Sequence, residues 1–178
     1  MNLTETTVRK NYIYRGKIIN LRCDDAMLPD GKPCKREMIE HPGGAAVLCV
    51  KEGKVLLVKQ YRYAYAKAIY EIPAGKLNFG EDPALTAARE LKEETGLEAE
   101  VKHLYTLYPT PGYTDELLHI YYASNPKEGE QKLDEGEFLN VEWICLKDVV
   151  SMIERGEISD AKTVVAVQWF LLHENKPI

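Results

Sequence analysis

Paired metal-binding thiols are missing from this sequence. Its four cysteines, Cys23, Cys34, Cys49 and Cys145, form no C-x-x-C pair, and its four histidines offer no H-x-x-x-H spacing. That argues against a zinc site and a disulfide framework, and leaves the cysteines as reduced, buried small residues. Long hydrophobic runs are missing too. Nothing approaches the roughly 18 consecutive apolar residues of a membrane span. The opening Met-Asn-Leu-Thr-Glu-Thr-Thr has no apolar signal segment, so a cytoplasmic protein without a membrane partner is expected. Positive charge is in deficit: 23 Lys and Arg face 28 Asp and Glu, for a net charge of -5, and no basic run stands out. Nucleic acid is therefore not an expected partner, because its binding rests on neutralised phosphates. A small anionic substrate stays compatible with an acidic chain if local arginines or a divalent cation neutralise it.

The 178 residues suffice for one domain, or a core domain with a small extension. An apolar share of 45% with 29% charged residues belongs to a globular chain and not to a disordered or fibrous one. Residues 1–42 read as a small antiparallel β unit, with alternation around Tyr12, Tyr14, Ile18 and Leu21 and a Pro29-Asp30-Gly31 turn before a strand from Lys35 to Ile39. A three-strand sheet of this size sustains itself poorly and should pack on the rest of the chain or on a second copy. Residues 43–178 read as the main domain. Ala45 to Val50 and Val55 to Gln60 form a hairpin about Glu52-Gly53, Ala68 to Ile72 a short strand, and 99–108, 116–123 and 138–145 further strands. Tyr12, Tyr14 and the alternating Tyr61, Tyr63 and Tyr65 offer stacking surfaces, although alternate tyrosines in a strand are more often half-buried framework. Helices are expected at 83–95, 146–155 and 160–173. The order predicts an α/β or α+β fold, a mixed sheet flanked by helices.

The helix at 83–95 holds the chemistry. Asp82 is a good N-cap, Pro83 is tolerated in the first turn, and Gly96 supplies a left-handed stop. At about 100° per residue, Ala84, Ala87, Ala88 and Leu91 form a small apolar stripe. Glu90, Glu93 and Glu94, at spacings of three and four, are expected together on the opposite, exposed side. Their mutual repulsion and the negative end of the helix dipole each cost roughly a few tenths of a kcal/mol or more. Arg89, four residues before Glu93, can relieve part of this and orient Glu93, and the remainder invites a cation. Oxygen ligands without Cys or His suit Mg2+, with Mn2+ as a substitute. Taken alone, a Glu-rich helix end is more often a solvated face than a metal site, and the neighbouring residues decide.

Those neighbours form one string: Gly75, five residues, Glu81, seven residues, Arg89-Glu90-Leu91, one residue, Glu93-Glu94, one residue, Gly96-Leu97. It resembles the signature of the Nudix hydrolases at each of nine defined positions. The resemblance implies an α/β/α sandwich whose loop-helix-loop box holds divalent metal at a substrate pyrophosphate. Glu90 and Glu94 are then the principal ligands, with Glu93 alongside and the Ala74 carbonyl assisting. Arg36 in Lys-Arg-Glu, Gln60-Tyr61-Arg62, Glu71-Ile72-Pro73-Ala74-Gly75 and Asp160-Ala161-Lys162-Thr163 resemble segments of bacterial ADP-ribose pyrophosphatases, as does Pro111, about 15 residues beyond the box. That likeness implies cleavage of ADP-ribose to AMP and ribose 5-phosphate by a homodimer that exchanges its N-terminal β units.

The acidic loop Leu133-Asp134-Glu135-Gly136-Glu137 resembles the loop that supplies the base in those enzymes. It implies Glu135 as general base and Glu137 as a further metal ligand; the alternative is a solvated acidic turn. Arg36 and Arg62 offer planar guanidinium forks for phosphate or the terminal ribose, or hold surface positions. Pro111, Gly112, Tyr113 and Glu116 are candidates for the sugar end, with Gly112 admitting close backbone approach and Tyr113 equally suited to packing. Some relatives stack adenine on an aromatic just after the first strand, where Gly16-Lys17-Ile18-Ile19 offers only aliphatics. Another nucleoside-diphosphate sugar, such as GDP-mannose, is the alternative substrate. A non-catalytic nucleotide-binding module typically lacks box glutamates, and none is missing here.

Overall fold

A computed structural model describes residues 2–173. In the first unit, β1 (Thr6–Arg9), β2 (Tyr12–Arg15), β3 (Asn20–Met27) and β4 (Pro33–Glu40) make an antiparallel sheet centred on β3, which pairs with the other three. The β4 register runs the length of β3, from Asn20↔Glu40 to Met27↔Pro33. Gly31, at φ +82°, turns the chain between them and donates its N–H to the Leu28 carbonyl at 2.9 Å. β1 and β2 share the other edge of β3 end to end. Asn11 fills the break between them, donating to the Cys23 carbonyl at 3.2 Å and to an Asp25 oxygen at 2.9 Å. The sheet thus has four strands where three were expected. With Val8 as its sole large apolar residue, Thr6–Arg9 carries no alternation to read, and pairing with β3 decides its conformation.

The buried face of β3 carries an ion pair beside Ala26: Arg22 and Asp24 pair at 3.0 Å, and Glu40 holds the guanidinium as well. Val8, Ile13, Tyr14 and Ile18 stay exposed. A segment from the middle of the chain, Tyr108–Leu117, belongs to this unit. It runs beside the end of β4, where the Ile39 N–H donates to the Tyr113 carbonyl at 2.7 Å and the Asp115 N–H to the Ile39 carbonyl at 3.2 Å.

The second unit is Gly44–Leu107 with the chain from Leu118 onward. Its strands are β5 (Gly44–Lys51), β6 (Lys54–Arg62), β7 (Lys67–Glu71), β8 (Ala74–Lys76), β9 (Leu97–Leu107), β10 (Leu118–Glu128) and β11 (Leu139–Cys145). Its helices are α1 (Pro83–Thr95), α2 (Leu146–Glu154) and α3 (Ala161–His173). β5 and β6 meet at Glu52 and Gly53, both with positive φ, as a two-residue primed turn requires. The path of the sheet is β11-β6-β5-β10-β9, with β7 paired to β6 and β8 to β5; β5 and β10 run parallel and all other pairs antiparallel.

Alternation along β5 divides the core. Ala45, Val47 and Cys49 pack with Ala87 and Leu91 of α1, whereas Ala46 and Leu48 pack with Val149 of α2 and Ala166 and Val167 of α3. Both faces of β5 are therefore covered, which is why its sequence is apolar without interruption. The result is the expected α/β/α sandwich with a mixed sheet. Two local readings are corrected. β6 stops at Arg62, and Tyr63–Tyr65 form a 3-10 turn ending at Ala66 with φ +51°, so Tyr61, Tyr63 and Tyr65 are exposed and not half-buried framework. Of the four unpaired cysteines only Cys49 is fully buried. Among the described residues no helix is long and apolar enough to cross a membrane.

Candidate active site

The caps of α1 are those its sequence predicts. The Asp82 carboxylate accepts the Ala84 N–H at 2.7 Å, Pro83 opens the helix, and Gly96 at φ +72° closes it with its N–H on the Lys92 carbonyl at 2.8 Å. Ala87 and Leu91 are fully buried against the sheet. Glu94 is not on the opposite side, as expected, but buried with them at 2% exposure. Seven residues advance a helix by nearly two turns, so Glu94 lies about 20° from Ala87 around the axis and continues the buried stripe. Glu90 is mostly buried, and Glu93 is the one of the three with a third of its side chain in solvent.

β8 brings the backbone to these carboxylates. The Ala74 N–H donates to Glu94 Oε2 at 3.1 Å, its only hydrogen-bond donor among the described residues. A side chain at Gly75 is incompatible with this arrangement, because its Cβ would fall 2.0 Å from the Glu90 carboxyl carbon. Burial pushes the Glu94 carboxyl up to about 8; the Ala74 N–H opposes this, and the charges of Glu137 and Glu90 reinforce it. Glu90 is raised as well, by burial and by Glu93 and Glu137, against the pull of Arg89. Glu137 is thus electrostatically joined to the helix carboxylates, and Gln60 Nε2 holds it at 3.1 Å. Glu135 is exposed, in a turn closed by the Glu137 N–H on the Asp134 carbonyl at 3.0 Å, with Gly136 at φ +82°.

Arg89 is the local hub. Its Nε and Nη2 take Glu81 in a fork at 3.0 and 3.2 Å, and its Nη1 reaches Glu90 at 2.7 Å and Glu93 at 2.8 Å. The Arg89 hydrogen bonds, with the Asn78 N–H, hold the Glu81 carboxyl down at about 2. Glu81 therefore anchors the loop before α1 and sets the arginine that orders two of the three helix glutamates. Sequence reasoning gave Glu81 no role beyond its place in the signature.

Arg62 spends its fork internally. Nε and Nη2 donate to Glu71 at 2.6 and 3.1 Å, and Lys162 bonds the same buried carboxylate. Its remaining amino edge is the part that can meet an anion. The other candidate substrate residues belong to the first unit. Arg36 is engaged in a fork with Glu5 at 2.8 and 2.6 Å, so an incoming phosphate competes with that carboxylate. Pro111, Gly112 and Tyr113 form an exposed turn, and the space where a Gly112 Cβ would lie is open. Glu116 stands 3.6 Å from His41 Nδ1. Gln60, Glu71 and Lys162 stand in the sequence only within resembling segments, and no periodicity or spacing signals their pairing.

The donors present suit a hard divalent cation: carboxylate and carbonyl oxygens, beside a glycine whose missing side chain leaves room for Glu90. Among the described residues no three His, Cys, Asp or Glu side chains already converge into a cage. Mg2+ commonly takes one or two carboxylates and completes its shell with water and substrate phosphates, so the residues fit without one.

A family model described as NUDIX domain matches residues 40–167, and one described as Nucleoside diphosphate sugar hydrolase N-terminal domain matches residues 5–39. An ADP-ribose pyrophosphatase of Bacillus subtilis (strain 168) is 45% identical over 177 residues, covering 97% of this chain and 96% of its own. A methanol dehydrogenase activator of Bacillus methanolicus is 43% identical over 174 residues, covering 96% and 94%. A crystal structure of an ADP compounds hydrolase matches with a TM-score of 0.85 over 99% of this chain and 100% of that one, at 20% identity, a likeness of fold alone. With all the box glutamates in place on a sandwich of this form, the chain is a pyrophosphatase of the hydrolase type and belongs to the Nudix family.

Proposed function

We propose that this protein hydrolyses the pyrophosphate of ADP-ribose to AMP and ribose 5-phosphate with Mg2+, for which Mn2+ can substitute. The observation that carries the reading is the convergence of mostly buried Glu90 and buried Glu94 on Gly75 and Ala74, with Glu137 within electrostatic reach. Glu90, Glu94 and the Ala74 carbonyl hold the metal, with Glu93 and Glu137 as further ligands. Bound there, it supplies positive charge against the charge that develops on the phosphoanhydride. Glu135 takes the proton of the attacking water as the water oxygen bonds to phosphorus and the bridging P–O bond breaks. Arg89 orients Glu90 and Glu93. Arg36, Arg62, Pro111, Gly112, Tyr113 and Glu116 bind the substrate.

Residues 1–42 serve dimerisation and substrate binding, 43–178 hydrolysis, and the working form is a cytoplasmic homodimer with exchanged N-terminal β units. The exposed Val8, Ile13 and Ile18 support that form, since exposed apolar side chains gain by burial against a second copy. The name of the Bacillus subtilis relative supports ADP-ribose as substrate. Another nucleoside-diphosphate sugar is the second reading, favoured by the match of residues 5–39 to a model whose description names no base.

Product analysis tests the choice: purified protein with Mg2+ is given ADP-ribose and GDP-mannose in parallel. The proposal expects AMP and ribose 5-phosphate, formed fastest from ADP-ribose. Faster cleavage of GDP-mannose moves the substrate, and cleavage of neither sinks the reading.

A further inference from the structure

The first turn of α3 grips the segment on which Ala74 sits. Asp160 Oδ2 accepts the Thr163 N–H at 3.0 Å and the Thr163 hydroxyl at 2.6 Å. The hydroxyl has one proton, so Thr163 Oγ1 is left as an acceptor, and it takes the Ile72 N–H at 2.9 Å. Lys162 Nζ donates to Asp160 Oδ1 at 2.9 Å and also to Glu71, which the Arg62 fork holds from β6. The Pro73–Ala74 peptide group is pinned on both sides as well: its carbonyl accepts the Val47 N–H at 2.8 Å, and its N–H donates to Glu94. Thr163 and Glu71 are buried, so the bonds that end on them are shielded from competing water. Capping α3 requires only Asp160. The contacts of Lys162 and Thr163 with Glu71 and Ile72 fix the crossing between β7 and β8.

We propose that Asp160, Lys162 and Thr163 are positioning residues that set the Ala74 carbonyl and the Glu94 carboxylate in register for a shared divalent metal. The proposal rests on the reading of Ala74 and Glu94 as ligands. It gives the Asp160-Ala161-Lys162-Thr163 segment a task that helix formation leaves unexplained.

Mn2+ titration followed by electron paramagnetic resonance, on the full chain without nucleotide, tests it together with amide exchange at Ile72 and Ala74. Thr163→Val keeps the shape and removes the hydroxyl; Thr163→Ser restores it. Thr163→Val should bind Mn2+ about 10- to 100-fold more weakly and exchange both amides faster, while Thr163→Ser stays within about twofold of the parent protein. Unchanged Mn2+ affinity in Thr163→Val, or equal loss in both variants, overturns the proposal. If Thr163→Val does not fold, Lys162→Met, which spares the Ile72 bond, is titrated instead, and unchanged affinity there is equally decisive. Turnover by the parent protein is measured alongside. Mn2+ binding without cleavage of any nucleotide sugar refutes the activity and leaves the positioning test intact, whereas no Mn2+ binding by the parent refutes the positioning proposal.

Discussion

Gly75 shows how much one absent side chain decides. Its Cβ would collide with the Glu90 carboxylate, the mobile end of a long side chain. Gly75→Ala should therefore leave the fold nearly untouched, within about 1 kcal/mol by urea unfolding. By displacing Glu90 it should lower kcat by about 10-fold or more, as loss of ligand support does. A Gly75→Ala variant with unchanged kcat would show that the placement of Glu90 is irrelevant to turnover. Individual residues differ in how far the sequence discloses them. The signature marks Glu90, Glu93 and Glu94 together, yet only Glu93 keeps substantial solvent contact. Glu94 hides among alanine and leucine because a charged residue on a buried stripe looks, by composition, like one on an exposed stripe. The hub of Arg89 was half legible: its four-residue spacing from Glu93 predicts that contact, while the Glu81 fork spans a loop that no helical period describes.

At the scale of elements, α1 was legible to the residue because its ends carry local signals, Asp82 and Pro83 at one and Gly96 at the other. β1 and β8 were not, since each is short and takes its conformation from the strand it pairs with. The link between β6, β7 and α3 is of the same tertiary kind, and it has a pH signature. Burial pushes the Glu71 carboxyl up, but the Arg62 hydrogen bonds and the Lys162 charge overcome it and hold the carboxyl below its ordinary range. A carboxyl depressed in the folded state stabilises fully above its unfolded value of about 4.3, and that contribution disappears as pH falls through the folded value. Urea unfolding from pH 7 downward should show the stability of the parent protein falling more steeply below that point than that of Glu71→Gln. Parallel slopes would remove Glu71 from the stability of these elements.

For the molecule as a whole, the order of strands and helices could be read from the sequence, and the uninterrupted apolar run from Ala45 to Val50 is what a strand covered on both faces requires. Membership of Tyr108–Leu117 in the first unit could not, because its bonds to Ile39 join residues far apart in the chain. In the proposed homodimer, Val8, Ile13 and Ile18 of the first unit are the exposed apolar residues that a second copy would cover. Sedimentation equilibrium should give a dimer of the 20.3 kDa chain. Ile13→Asp should shift that equilibrium toward monomer, and a parent protein that sediments as a monomer at micromolar concentration would contradict the exchanged-unit reading.

The proposed cleavage of a nucleotide pyrophosphate by the helix glutamates with a divalent metal is decided by ADP-ribose turnover with Mg2+ in the parent protein and in Glu94→Gln, whose amide oxygen can still accept the Ala74 N–H. Turnover to AMP and ribose 5-phosphate in the parent, lower by about 100-fold or more in the folded variant, is the predicted result. Equal turnover by both proteins would contradict it.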